Sequence, residues 1–273
     1  MRARALVTGP DEGAIGNLLR SSRAGSLTRG WRPIAFVGSG GTAEVWRVVA
    51  ADGSEAALKM LKPEWRHHSA AATLLRREYE VLWQVAGANV VRVYELVEQD
   101  AVPALVMEYL PHGDLVPLLG APPQHWLPAF RSVVGALLGV HRCGFGHGDV
   151  KARNVLFAAD GSARLVDFTT AERLESPAAI STAAYSLPAS LKAGARDGDC
   201  FALAVLLYEL VTGRLPYGRD GPTDLGALPA VAVSDPRAAP LLAGATAALR
   251  ASGRVQGVSY FVDVIESVGP VFG

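Results

Sequence analysis

The hydrophobic positions along the chain change period several times, and each change marks a new element. From Trp31 onward, Pro33 to Val37, Glu44 to Ala50 and Glu55 to Leu61 are rich in β-branched and apolar residues. A glycine cluster and the turn dipeptide Asp52-Gly53 separate them, which predicts three short strands in an antiparallel meander. Leu74, Leu75, Tyr79, Leu82 and Val85 then recur at helical spacing among Arg76, Arg77, Glu78 and Glu80, the pattern of an amphipathic helix. Val90 to Val97 and Ala104 to Tyr109 predict a second strand pair, which Pro111 to Gly113 ends. Beyond that break the pattern is mostly helical, over Trp126 to Arg142, Phe201 to Val211, Ala239 to Arg250 and Phe261 to Val268. Two strand signals, Val155 to Phe157 and Ala163 to Val166, interrupt it around the hairpin dipeptide Asp160-Gly161. Ahead of Trp31 only Ala14 to Leu19 suggests a short helix, so residues 1–30 are expected to be an extension.

Composition narrows the class. In 273 residues, 50% hydrophobic and 19% charged, there is enough apolar material for a sizeable core, which excludes a disordered segment. Twenty-six basic residues balance 26 acidic ones, so a strongly basic nucleic-acid binder is not expected. Cys143 and Cys200 alone make no disulfide framework; a reducing compartment and two buried thiols are expected. Arg2 and Arg4 lead into Gly9, Pro10, Asp11 and Glu12 rather than an apolar run, so no export signal is read there. The apolar stretch from Cys200 to Tyr208 is stopped by Glu209, short of the ~20 residues that cross a bilayer. These features predict a cytoplasmic protein without membrane contact. Lysine occurs only at 59, 62, 151 and 192 against many arginines, with abundant Ala and Gly, which points to a GC-rich bacterial source.

Three motifs carry chemistry. Gly38-Ser39-Gly40-Gly41-Thr42-Ala43-Glu44-Val45 lies between two predicted strands, where glycines let backbone amides approach an anion closely. No helix follows, so it is not a dinucleotide fingerprint, and no Lys-Ser or Lys-Thr closes it as in a Walker loop. Taken alone it also fits a flexible hairpin turn. Lys59 sits among Ala57, Leu58 and Met60, where an ammonium is costly unless paired, and Glu78 on the amphipathic helix can pair with it. The bland alternatives are a strand-edge lysine and a surface helix glutamate. The strongest cluster is His147-Gly148-Asp149-Val150-Lys151-Ala152-Arg153-Asn154, followed by Asp167-Phe168-Thr169. There Asp149 suits a proton acceptor, Asn154 and Asp167 supply the hard oxygens that Mg²⁺ prefers, and Lys151 can neutralise a transferring phosphoryl group.

In this order the motifs resemble a eukaryotic-type Ser/Thr protein kinase domain from about Trp31 to the C-terminus. Met107-Glu108-Tyr109-Leu110, Gly113-Asp114-Leu115 and Asp199 heading the apolar helix, which leaves through Thr212 to Tyr217, belong to the same likeness. The resemblance implies a two-lobed α+β fold. A small antiparallel β N-lobe with one main helix spans residues 31–110, and a larger, mostly helical C-lobe spans 111–273. It implies ATP and Mg²⁺ as cofactors and a protein substrate, with Lys59 and Glu78 as an ion pair, Asp149 as catalytic base and Lys151 at the γ-phosphate. Asn154 and Asp167 would hold the metal. Val37, Gly38, Ser39, Gly40 and Gly41 would cover the nucleotide, and Val45, Ala57 and Leu156 would sandwich adenine. Met107 would be gatekeeper, with Glu108 to Leu110 bonding the base edge.

The departures are specific. Ala43 replaces the last loop glycine, Gly148 the arginine before the base, Thr169 the glycine after Asp167-Phe168, and Ala189 a buried glutamate whose expected partner is Arg254. The last change questions the rigidity of the C-lobe and conventional peptide docking. The His147-Gly148-Asp149 loop also resembles aminoglycoside and choline phosphotransferases, which usually carry histidine where this chain has Lys151. A non-catalytic pseudokinase scaffold is the third reading. The protein kinase is preferred over the small-molecule phosphotransferases because of Lys151 and the helix exit from Thr212 to Tyr217, and over the scaffold because Lys59, Glu78, Asp149, Asn154 and Asp167 are all present.

Overall fold

The protein is described from a computed structural model, covering residues 31–176, 182–191, 193–223, 225, 228–229, 231, 233, 235–251 and 257–269. The suggested helix at Ala14 to Leu19 and the expected glutamate partner Arg254 lie outside these residues. The chain forms two compact units: the described residues up to Trp83 with Val91–Leu110, and Gln84–Val90 with the described residues from Pro111 onward.

The first unit is built on β1 (Arg32–Ser39), β2 (Ala43–Val49), β3 (Glu55–Leu61), β4 (Val93–Gln99) and β5 (Val102–Met107). They form one antiparallel five-stranded sheet in the order β1-β2-β3-β5-β4. Residues directly opposite in register share a face. Trp46, Leu58 and Val106 therefore lie on one face, where they join Trp31, Val48 and Met60 in the core. Val45, Lys59 and Leu105, with Arg47, Ala57 and Met107 one pleat along, share the other. The predicted amphipathic helix is α1 (Ser69–Gln84). Its buried stripe is apolar, Leu75, Val81 and Leu82 among others, except for one carboxylate, Glu78.

In the second unit, α2 (Pro123–Arg142) begins with proline in its first turn, where the missing N–H costs nothing. A small sheet pairs β6 (Phe145–Gly146) with β9 (Glu172–Arg173), and a hairpin pairs β7 (Val155–Phe157) with β8 (Ala163–Leu165). Then come α3 (Ala195–Thr212), α4 (Ala239–Arg250) and α5 (Ser259–Glu266). From Cys200 through Tyr208 α3 is apolar and buried on every side; this is the stretch the sequence shows as a continuous hydrophobic run. It ends at Gly213, which takes the left-handed conformation at φ 69° and donates to the Glu209 carbonyl. No helix among the described residues is long and apolar enough to cross a membrane.

Three expectations need correction. Cys143 is exposed rather than buried, because it caps the C-terminus of α2 where the chain turns away; Cys200 is buried, and desolvation pushes its thiol up to about 12. The strand expected from Val90 starts at Val93; Val90 instead makes a parallel bridge to Leu165 in the second unit. α3 starts at Ala195, ahead of the expected Phe201, because its first turn carries Arg196 and Asp197, which interrupt the apolar pattern without interrupting the helix.

Candidate active site

On the first unit, Lys59 extends from β3 and its Nζ donates to both oxygens of Glu78, at 2.7 and 2.8 Å. The Glu78 side chain is 1% exposed and that of Lys59 12%. Placing a carboxylate in the apolar stripe of α1 is expensive unless a cation meets it. The surface-residue alternative for Glu78 is thereby excluded. Val45, Ala57 and Met107 share the sheet face of Lys59. Val37, Gly38 and Ser39 close β1, with Val37 exposed, and the Gly40 N–H donates to the Ala43 carbonyl at 2.8 Å. A Cβ placed on Gly38 or Gly41 would meet nothing within 4 Å, so packing within the protein does not demand these glycines. The Glu108 N–H donates to the Arg92 carbonyl at 2.8 Å, and Leu110 is buried.

On the second unit the candidate cluster around Asp149 is drawn together by the β7–β8 hairpin. Val155 pairs with Leu165, and the Val166 N–H donates to the Asn154 carbonyl at 2.9 Å, so Asn154 and Asp167 flank the open end of one hairpin. Asp149 is 9% exposed and surrounded by donors. Its Oδ1 accepts from the Thr182 hydroxyl at 2.8 Å and the Thr182 N–H at 3.2 Å. Its Oδ2 accepts from Lys151 Nζ at 2.5 Å and Asn154 Nδ2 at 3.0 Å. Lys151 Nζ also donates to the Thr182 hydroxyl, at 2.7 Å. Asn154 Nδ2 also donates to the Asp149 carbonyl at 2.8 Å, so both amide hydrogens face acceptors and the amide oxygen is the group left for a metal. Asp167 sits at φ 65°, left-handed and unusual outside glycine. Leu156, on β7, belongs to this unit.

Two residues outside the expected set hold this loop. Asp199, 1% exposed at the head of α3, accepts from the N–H groups of His147 and Gly148 and meets His141 Nε2, each at 2.8 Å. His147 is fully buried. Its Nδ1 accepts from the Asp149 N–H at 3.2 Å, its Nε2 donates to the Val166 carbonyl at 3.0 Å, and Phe168 packs edge-on against its ring at 4.6 Å. The signal for Asp199 was its place just ahead of the apolar run Cys200 to Tyr208 in the kinase likeness. For His147 there was only its place in the cluster.

Gly148 is dictated by the backbone. It adopts φ 82°, and a Cβ there would come within 2.7 Å of the Thr170 carbonyl oxygen. The arginine the family places here is thus disfavoured by its Cβ alone. Arg173, the nearby cation on β9, lies over the Phe145 ring at 4.4 Å. Left-handed strain and overpacking each cost about 1–3 kcal/mol. Gly148→Ala is therefore expected to lower stability by about 2–6 kcal/mol, read from the urea midpoint at unchanged slope; an unchanged midpoint contradicts the placement of this turn.

The segment after Thr182 is tied to α3 by a hydrogen bond from the Tyr185 hydroxyl to Glu209. Burial, reinforced by the Glu209 bond and charge, pushes the Tyr185 phenol well above its usual range, so it remains a donor. Burial also raises the Glu209 carboxyl, and the Tyr185 bond pulls it back. This contact anchors a segment that carries no glutamate at Ala189.

The sequence matches the protein kinase domain model over residues 31–228. It is 33% identical over 199 residues to the serine/threonine-protein kinase PknL of Mycobacterium tuberculosis, covering 68% of this chain and 50% of PknL. Similarity extends to PrkC of Bacillus subtilis, 28% identical over 67% of this chain and 30% of that protein. PkaA of Streptomyces coelicolor is 32% identical over 67% of this chain and 38% of its own length. The chain spans about half, or less, of the length of these relatives.

Proposed function

The chain belongs to the protein kinase domain family, and from that premise we propose that it transfers the γ-phosphate of ATP to Ser or Thr hydroxyls of a protein substrate in the cytoplasm of a bacterium. The observation that carries this reading is the Asp149 carboxylate, oriented through both oxygens by Thr182, Lys151 and Asn154. Four accepted bonds fix the orientation of this carboxylate, and a substrate hydroxyl would reach it as general base by exchanging with one of them, the longest being the Thr182 N–H at 3.2 Å.

The reaction balances as an in-line displacement. The substrate hydroxyl oxygen bonds to the γ-phosphorus, its proton passes to Asp149, and the bond from the γ-phosphorus to the bridging oxygen breaks to release ADP. Lys151 offers charge to the transferring group, and two of its three ammonium donors are used on Asp149 and Thr182. Lys59, fixed by Glu78, offers a point charge to the α- and β-phosphates. Gly38 to Gly41 give the phosphates room, since no protein atom fills the Cβ positions of Gly38 and Gly41. Val37, Val45, Ala57 and Leu156 supply apolar contact to adenine, and Met107 limits its depth. Because the Glu108 N–H is occupied by Arg92, the base edge meets the Glu108 carbonyl and the Leu110 backbone.

The donor set fits Mg²⁺. The metal takes hard oxygens, commonly one or two protein ligands with substrate phosphates and water completing the shell. The Asn154 amide oxygen and the Asp167 carboxylate supply that number, and no denser group of His, Cys, Asp and Glu ligands occurs among the described residues. When bound, Mg²⁺ would neutralise charge on the phosphate oxygens.

The test is incubation of the purified protein with labelled ATP and Mg²⁺, alone, with a generic protein substrate, and with small-molecule acceptors. Label on Ser or Thr of protein is the expected result. Label on an aminoglycoside or choline alone would make it a small-molecule phosphotransferase, and nucleotide binding without transfer would make it a scaffold.

A further inference from the structure

The residue after Asp167-Phe168 is threonine where the family carries glycine, and its side chain does something glycine cannot: Thr169 Oγ1 donates to Asp167 Oδ1 at 2.7 Å. Asp167 itself holds the left-handed conformation at φ 65°, and Phe168 between them is 1% exposed and pinned edge-on against His147. The Ala171 N–H closes the turn onto the Phe168 carbonyl at 3.0 Å. The middle of the turn is thus fixed by packing, its end by a backbone hydrogen bond, and the Asp167 carboxylate by a hydroxyl two residues on.

From this geometry we infer that Thr169 is a positioning residue for the metal, holding the Asp167 carboxylate in its ligating orientation before Mg²⁺ arrives; the inference rests on the kinase reading above. A carboxylate offers two oxygens and about four acceptor directions, so accepting the Thr169 hydroxyl is compatible with ligating a cation. A free aspartate side chain must be ordered when the metal binds, and that cost is subtracted from affinity. A hydroxyl that orders it beforehand removes part of the cost. The β-branched side chain, with its restricted χ1, suits the same end, because the hydroxyl has few other directions to take. The threonine therefore does not mark a decayed site; it supplies from a side chain some of the order that a more mobile glycine turn lacks.

Thr169→Val keeps the shape and β-branching and removes the hydroxyl. Thr169→Ser keeps the hydroxyl. Both are compared with parent and Asp167→Asn by calorimetric titration of ATP at a series of MgCl₂ concentrations, with urea midpoints recorded on each. Outer-sphere partners of metal ligands are typically worth 10–100-fold in metal affinity. Thr169→Val is expected to raise the MgCl₂ concentration for half-maximal enhancement of ATP binding by ~10-fold, and Thr169→Ser to stay within ~3-fold of parent. Metal-free ATP binding and the urea midpoints of both are expected to match the parent. In initial-rate assays the change is expected in the half-saturating Mg²⁺ concentration and not in kcat at saturating metal. A Thr169→Val protein with a Mg²⁺ requirement equal to or below the parent's overturns the inference, as does a Thr169→Ser protein as impaired as Thr169→Val. If Asp167→Asn too leaves the Mg²⁺ dependence of ATP binding unchanged, the metal-site reading fails with it. If only Asp167→Asn changes it, the reading stands and the role of Thr169 alone is lost.

Discussion

Asp149→Asn is expected to slow phosphoryl transfer by ~10²–10⁴-fold, the range for removing a positioned general base, while ATP binding stays within a few-fold of the parent. The separation follows from what touches the carboxylate. Its partners are Thr182, Lys151 and Asn154, and only Asn154 belongs to the proposed metal site, which it joins through its amide oxygen rather than through the amide hydrogens that face Asp149. The replacement also turns one oxygen into an amide NH2, which donates and does not accept. Since both carboxylate oxygens face donors, one pair must now be donor against donor, either at Thr182 or at Lys151 and Asn154. Thr182 and Lys151 should then lose some order, which adds to the loss of turnover without reaching Lys59. Initial rates at saturating ATP, with calorimetric ATP binding on the same preparation, decide the matter. Turnover within a few-fold of the parent places the proton acceptor elsewhere, and a parallel collapse of ATP binding means the loop itself has come apart.

The parts of the molecule legible in the sequence are those set by local period or by a turn residue. β2, β3 and the β7–β8 hairpin follow from alternating or β-branched runs bounded by Asp52-Gly53 and Asp160-Gly161, and α1 from its helical spacing. Glu78 was legible in a stronger sense than its charge alone suggests, because it falls on the same helical stripe as Leu75 and Leu82. What the sequence could not show were hydrogen bonds joining distant segments. Asp199 meets His147 from 52 residues away, and no periodicity reports such a pairing. Gly148 and Thr169 illustrate a different gap. The family pattern marks both only as departures, whereas the left-handed turn against Thr170 makes the first a steric requirement and the hydroxyl bond to Asp167 gives the second a partner. A substitution read against a pattern reports what is missing; only the backbone angle and the neighbours report what has replaced it.

Lys59 and Glu78 are expected to behave as one unit, with Lys59→Met, Glu78→Gln and the double variant each losing ~10²–10³-fold in transfer rate, the scale for removing a charged group aimed at a transition state. The reason is the bidentate pair at 2.7 and 2.8 Å with Glu78 almost wholly buried. The ammonium reaches the phosphates only while the carboxylate on α1 holds it, so losing either partner removes the same interaction. Additive effects would multiply to ~10⁴–10⁶-fold in the double variant, whereas a coupled pair leaves it near the worse single. Stability should divide differently. Lys59→Met leaves the Glu78 carboxylate in an apolar stripe without its ammonium, a change of the kind that costs about 3–5 kcal/mol. The double variant removes the buried charge as well and should recover part of that loss, so its urea midpoint is expected above that of Lys59→Met. Four proteins measured for initial rate and urea midpoint complete the cycle. Strict additivity in the rates, or a double variant less stable than Lys59→Met, shows that the two side chains do not act together in the working protein.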